Sequence, residues 1–197
     1  MAFLRNRRLI LLPAGLLLGS IVACHRHPEP EEAARSAPVP ELQAAVLGNL
    51  RYPSDFAQHG VATLQNGIYQ ESPDPLTGTR LSVRLMPWQA EGDLNGDGIL
   101  DRVAVLMTEP GGSGEFYDLA VVPNRGGQPG PAYMASLGDR VDIRGVRVED
   151  GLIKVGMLQA GANDPACCPS QHVIMAFRLL GDRLVSAGTA ASGLSAR

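Results

Sequence analysis

Five oxygen donors recur at every second position between residues 93 and 101. They are the side chains of Asp93, Asn95, Asp97 and Asp101 and the backbone carbonyl of Ile99. Calcium takes six to eight oxygen ligands, and a D-x-N-x-D-G-x-x-D loop bent at Gly98 supplies that donor type from one short stretch. Three carboxylates this close repel one another, and a dication relieves the repulsion. The same residues also build metal-free turns, because Asn-Gly and Asp-Gly favour turn conformations and Asp oxygens accept from nearby backbone N–H groups. Both chemistries stand as expectations for this loop.

A helix-loop-helix calcium site needs a bidentate acid at the twelfth loop position. That position is Ala104, which excludes it. The nine-residue loop instead resembles those between strands of integrin-type β-propellers. Propellers repeat it once per blade and this chain has one copy, so the resemblance implies the loop chemistry and not the fold.

A second chemical stretch is Gly161-Ala162-Asn163-Asp164-Pro165-Ala166-Cys167-Cys168-Pro169. In an oxidising compartment the adjacent Cys167 and Cys168 are expected to close a vicinal disulfide. The alternative is soft-metal handling. Thiolates and thioethers suit Cu(I), with His172, Met157 and Met175 nearby in the sequence. Redox catalysis would call for C-x-x-C at a helix start, which is not the pattern here. Gly111-Gly112-Ser113-Gly114 lacks the Gly-Lys-Ser/Thr of a phosphate loop and reads as a hairpin connection. His59 and His172 have no nucleophile or acid at a telling spacing, so a hydrolase would need a site assembled only in three dimensions. Trp88 and Tyr117 read as core or interface aromatics.

The compartment follows from the N-terminus. Arg5, Arg7 and Arg8 precede an apolar stretch from Leu9 to Ala23. It is shorter than the roughly twenty residues a spanning helix needs, and it fits an export signal. Ile21-Val22-Ala23-Cys24 resembles the bacterial lipobox. That resemblance implies removal of residues 1–23, acylation of Cys24 by several chains including palmitate, and stable membrane anchoring. Position 25 is His and not Asp, which by the same resemblance favours the outer membrane facing the periplasm in a two-membrane host. Cleavage removes three arginines and no acid, taking the formal charge from −3 to −6. No basic run survives, which argues against a nucleic-acid partner.

Residues 24–40 carry Pro, Glu and small residues without apolar periodicity, and read as a tether of roughly 50 Å when extended. His25 and His27 belong to it. The domain is expected over 41–190, with a tail over 191–197. Leu42, Val46 and Leu50 recur every fourth residue, and with Pro40 they predict a short helix over 40–50. Strands are expected over 81–85, 102–107, 116–122, 141–148, 152–158, 172–180 and 183–187, with turns at Asn124–Gly127, Asp150-Gly151 and Gly181-Asp182. The chain is expected to fray from about Ser186. The fold class is mainly β: an antiparallel meander forming a sandwich or barrel, with one short N-terminal helix.

The phrases GDLNGDGILDRVAVL, GGSGEFYDLAVV, LGDRVDI and GANDPACCPSQ, in this order, resemble a group of exported bacterial proteins and lipoproteins whose activity is not known. The resemblance covers about residues 50 to 180. It implies a cell-envelope protein and lends no catalytic residues. Together these signals lead to the expectation of a lipid-anchored, non-catalytic binding or structural module, with calcium as the candidate ligand of its acidic loop.

Overall fold

The computed structural model describes residues 41–165 and 167–191. The expected signal over 1–23, Cys24, the expected tether to 40 and residues 192–197 lie outside them. Among the described residues, two larger antiparallel sheets stack as a sandwich, accompanied by two small two-stranded pairs.

The chain enters through a 3-10 helix, Ala44–Asn49, followed by the short pair β1 (Arg51–Pro53) and β2 (Val61–Thr63). Within the periodic stretch only Ala44–Asn49 is helical, one tight six-residue 3-10 helix and not a regular α-helix. The five-stranded sheet comprises β3 (Ile68–Gln70), β4 (Ser82–Gly92), β5 (Asp101–Glu109), β6 (Phe116–Val122) and β9 (Tyr133–Asp139), in that spatial order. A small hairpin, β7 (Asn124–Arg125) and β8 (Gln128–Pro129), sits between β6 and β9 in the chain. The four-stranded sheet runs β10 (Asp142–Glu149), β11 (Leu152–Gln159), β12 (Gln171–Leu180) and β13 (Arg183–Ala191).

The hairpin of β10 and β11 follows from its turn chemistry. Asp150 and Gly151 both adopt positive φ, 53° and 70°, the pair of left-handed residues that matches the twist of two-residue hairpins. The chain does not fray at Ser186. Residues 186–191 pair with β12, from Phe177↔Ser186 to Val173↔Ala191. Strand β12 is ten residues long, and its backbone pairs the small residues of β13 as well as the large ones.

Side-chain alternation divides the five-stranded sheet between two cores. Val103, Val105, Tyr117, Leu119 and Val121 point between the sheets and meet Ile143, Ile153, Val155 and Phe177. Ala104, Leu106, Ala120 and Val122 point the other way, under Leu42, Leu47, Tyr52, Ala62 and Leu64 of the N-terminal segment. This second layer explains why β5 and β6 read as continuous apolar runs. Tyr52 is fully enclosed and donates to the Leu47 carbonyl at 2.7 Å. Arg102 fastens the same layer at its edge, bonding the Leu42 carbonyl at 2.6 Å and the carboxylates of Glu41 and Glu91, each at 2.7 Å.

Candidate functional site

The acidic loop is the hairpin connection between β4 and β5. Gly96 and Gly98 take φ of 79° and 80°, and open space surrounds the position of an added Cβ at both. The backbone angle, not crowding, demands glycine there. The acidic side chains fold inward onto the loop's own amides. Asp93 accepts from Gly96 and Asp97 N–H on one oxygen, at 2.7 and 3.2 Å, and from Gly98 N–H on the other at 2.9 Å. Those donors, Gly98 first, hold its pKa below the usual carboxylate value. Asn95 accepts from Asp97 N–H at 2.9 Å, and Asp97 accepts from Ile99 N–H at 2.8 Å.

Asp101 is fully buried at the start of β5. It accepts from Leu94 N–H at 3.0 Å and from Asn124 N–H at 2.9 Å, which ties the loop to the strand that follows β6. Burial pushes its pKa up, against the pull of those two bonds, and the charges of Asp97 and Asp93 push the same way. Leu94 enters the inter-sheet core, so the loop is anchored at both ends.

The donor types of the loop suit calcium. Among the described residues, no three His, Cys, Asp or Glu side chains stand together closely enough to hold an ion.

The loop between β11 and β12 has a similar internal staple. Asp164 accepts from Gly161 N–H at 2.8 Å, from Ser170 N–H at 2.7 Å and from the Ser170 hydroxyl at 2.9 Å. Cys167 and Cys168 are exposed thiols at its tip. Their mutual hydrogen bond raises the pKa of Cys168. Of the soft ligands near them in sequence, Met157 is buried between the sheets, Met175 packs against that core, and His172 lies exposed near the start of β12. Tyr117 and Trp88 pack into or against the same core.

The Gly-rich stretch forms the connection from β5 to β6. Gly111 takes a positive φ of 97° and packs on Thr79, while a Cβ on Gly114 would strike the Phe116 ring. The glycines thus shape a turn and make room for an aromatic side chain.

That ring belongs to a cleft that sequence inspection missed. The loop after β1 leans over the face of β6 and β9 that carries Asp118 and leaves an open cavity of about 360 Å³. Ser54, Asp55 and Phe56 line it from the loop, Phe116 and Asp118 from β6, and Ser136 from β9. The Phe56 and Phe116 rings lie 4.7 Å apart, tilted by 33°, and close one end. The register of β6 on β9 slips between Tyr117 and Asp118, so Leu137 stands as an extra residue opposite them. Bulges of this kind re-aim side chains beside functional sites.

Asp118 shares its side of β6 with Ala120 and Val122, and it is half-buried. Burial, and then the nearby charge of Asp55, raise its pKa to about 6. The only sequence signal was one carboxylate inside the apolar run FYDLAVV. Neither His59 nor His172 lines this cleft.

No helix among the described residues is long and apolar enough to cross a membrane. No family model, curated protein or solved structure matches the chain.

Proposed function

We propose that this chain is a lipid-anchored cell-envelope protein whose β sandwich acts as a non-catalytic binding or structural module. Cys24 is its attachment point, on the outer membrane facing the periplasm in a two-membrane host. The basic and apolar leader ending in Ile21-Val22-Ala23-Cys24 supports the anchor. The observation that carries the non-catalytic reading is how the conspicuous polar loops are used. Asp93, Asp101 and Asp164 each engage both carboxylate oxygens with backbone or hydroxyl donors of their own surroundings. Carboxylates bonded in this way hold loops in shape.

Two further features belong to the same proposal. In the oxidising envelope Cys167 and Cys168 close a vicinal disulfide. Calcium reinforces the loop of Asp93, Asn95, Asp97, Ile99 and Asp101, whose carboxylate oxygens, apart from the doubly hydrogen-bonded Asp93 Oδ1, each keep a lone pair for a cation.

Intact mass of the protein extracted from membranes tests the reading. The expected species begins at Cys24, carries the mass of its acyl groups, and is two hydrogens lighter than the dithiol. An unprocessed chain starting at Met1 with both thiols reduced would refute anchor and disulfide together.

A further inference from the structure

We propose that the cleft between the loop after β1 and the Asp118 face of β6 and β9 binds a small organic cation, a protonated amine or guanidinium on a short alkyl chain, with the Asp118 carboxylate as its counter-ion. This site goes beyond the envelope reading and stands whether or not the chain is lipidated.

The first ground is an unmatched carboxylate. Asp101, the buried acid of the calcium-type loop, has a backbone donor on each oxygen. Asp118 is half-buried, and no hydrogen bond or ion pair among the described residues reaches its carboxylate. A carboxylate withdrawn from water without a donor is costly, and a bound cation with N–H groups removes that cost.

The second ground is independent of charge. The Ser54 hydroxyl is enclosed, has no hydrogen-bond partner, and lines the same cleft. Rotation about χ1 would turn that hydroxyl from its enclosed position into the cleft, where a ligand group can give it the partner it lacks. Ser136, opposite Asp118 in the β6–β9 register, adds a further hydroxyl.

The wall chemistry selects the class of ligand. No Lys, Arg or His lines the cleft, and Asp55 adds a second negative charge at its rim. Anions are therefore repelled. A divalent metal ion wants six or more oxygens around it. Here much of the wall is carbon, from the Phe56–Phe116 pair and Met134. Aromatic faces attract organic cations and shed water from an alkyl stem. A volume of about 360 Å³, open on one side, admits a side-chain-sized molecule or the tip of a longer one.

Met134 supplies the reporter. The full-length protein, in nonionic detergent at pH 7.5 and labelled with carbon-13 at its methionine methyls, is titrated with n-butylammonium, n-butanol and calcium in separate series at constant ionic strength. Met134→Leu assigns the signal. The expected result is a saturating shift of the Met134 methyl with n-butylammonium at millimolar concentration, little shift with n-butanol, and an affinity weakened about tenfold or more in Asp118→Asn. The other methionine methyls report whether that variant keeps the fold, and Ser54→Ala, also expected to bind more weakly, serves as the second variant. No response to n-butylammonium, an equal response to n-butanol, or unchanged affinity in both variants would overturn the proposal. Saturation by calcium in preference to the amine would replace it with a metal site.

Discussion

The β4–β5 loop and the β6–β9 cleft use the same side chain in opposite ways. In the loop, Asp93 and Asp101 meet backbone N–H groups on both oxygens, and the chain is shaped around them. In the cleft, Asp118 sits beside another acid, two hydroxyls and two aromatic rings. Burial raises Asp101 within the loop as well, so the pKa contrast is the one between Asp93 and Asp118. Asp93 is held below the usual carboxylate value by amide donors, and Asp118 is pushed up to about 6 by burial. A carboxylate answered by the backbone stabilises the fold, whereas one left unanswered is a cost to the fold and an opening for a ligand.

Breaking the structural side of this contrast should have the largest effect. Asp101→Asn sets an amide NH₂ against at least one of the buried donors at Leu94 and Asn124. We expect a loss of about 2 to 4 kcal/mol in equilibrium urea unfolding at neutral pH. A loss within about 0.5 kcal/mol would show that the two bonds contribute little.

The cleft should respond with the opposite sign. Asp118 has a folded pKa near 6, above its ordinary value of 3.8. Between those values the folded chain holds a proton that the unfolded chain has released, so stability falls as pH rises through that window. Asp55 is the titratable group facing it, and its negative charge acts in the same direction. Asp118→Asn removes the penalty. The variant should be more stable by about 1 to 2 kcal/mol at pH 7.5, allowing for the solvent that still reaches the site. The gain should vanish near pH 4. A variant less stable than the parent at pH 7.5 would place Asp118 with the structural acids.

Calcium should give the smallest effect and would sharpen the picture of the loop. At about 2 mM, a site with Kd of about 10⁻⁴ to 10⁻³ M adds roughly 1 kcal/mol, or about 2 to 4 °C in Tm. Asp97→Ala should abolish that rise. An unchanged Tm on adding calcium would leave the loop a purely amide-held turn.

Much of the sandwich was legible in the sequence because local chemistry and global fold agree there. The β10–β11 hairpin is written in its alternation and in Asp150-Gly151, and β6 spans the residues its apolar run suggests. Strand β9 was not seen, since Tyr133–Asp139 mixes Ala, Ser and Gly with few large apolar residues, and its place is set by pairing to β6. The end of β13 was hidden for a related reason, as backbone bonds to β12 hold residues that pack little. The cleft was illegible in principle. Alternation puts Asp118 on the opposite face from Leu119, which reads as the solvent side until the segment from Leu42 to Leu64 covers that face. Ser54 and Asp55 reach it from more than sixty residues away in the chain.

Carbon-13 carboxyl shifts of the aspartates, followed from about pH 3 to pH 8 without added ligand, test the contrast most directly. The expected result is a midpoint of about 6 for Asp118, with Asp93 titrating below the ordinary aspartate value. An Asp118 midpoint at or below the ordinary value of 3.8 would mean that its carboxylate is already matched by the protein, and the division between the two acidic regions would fail.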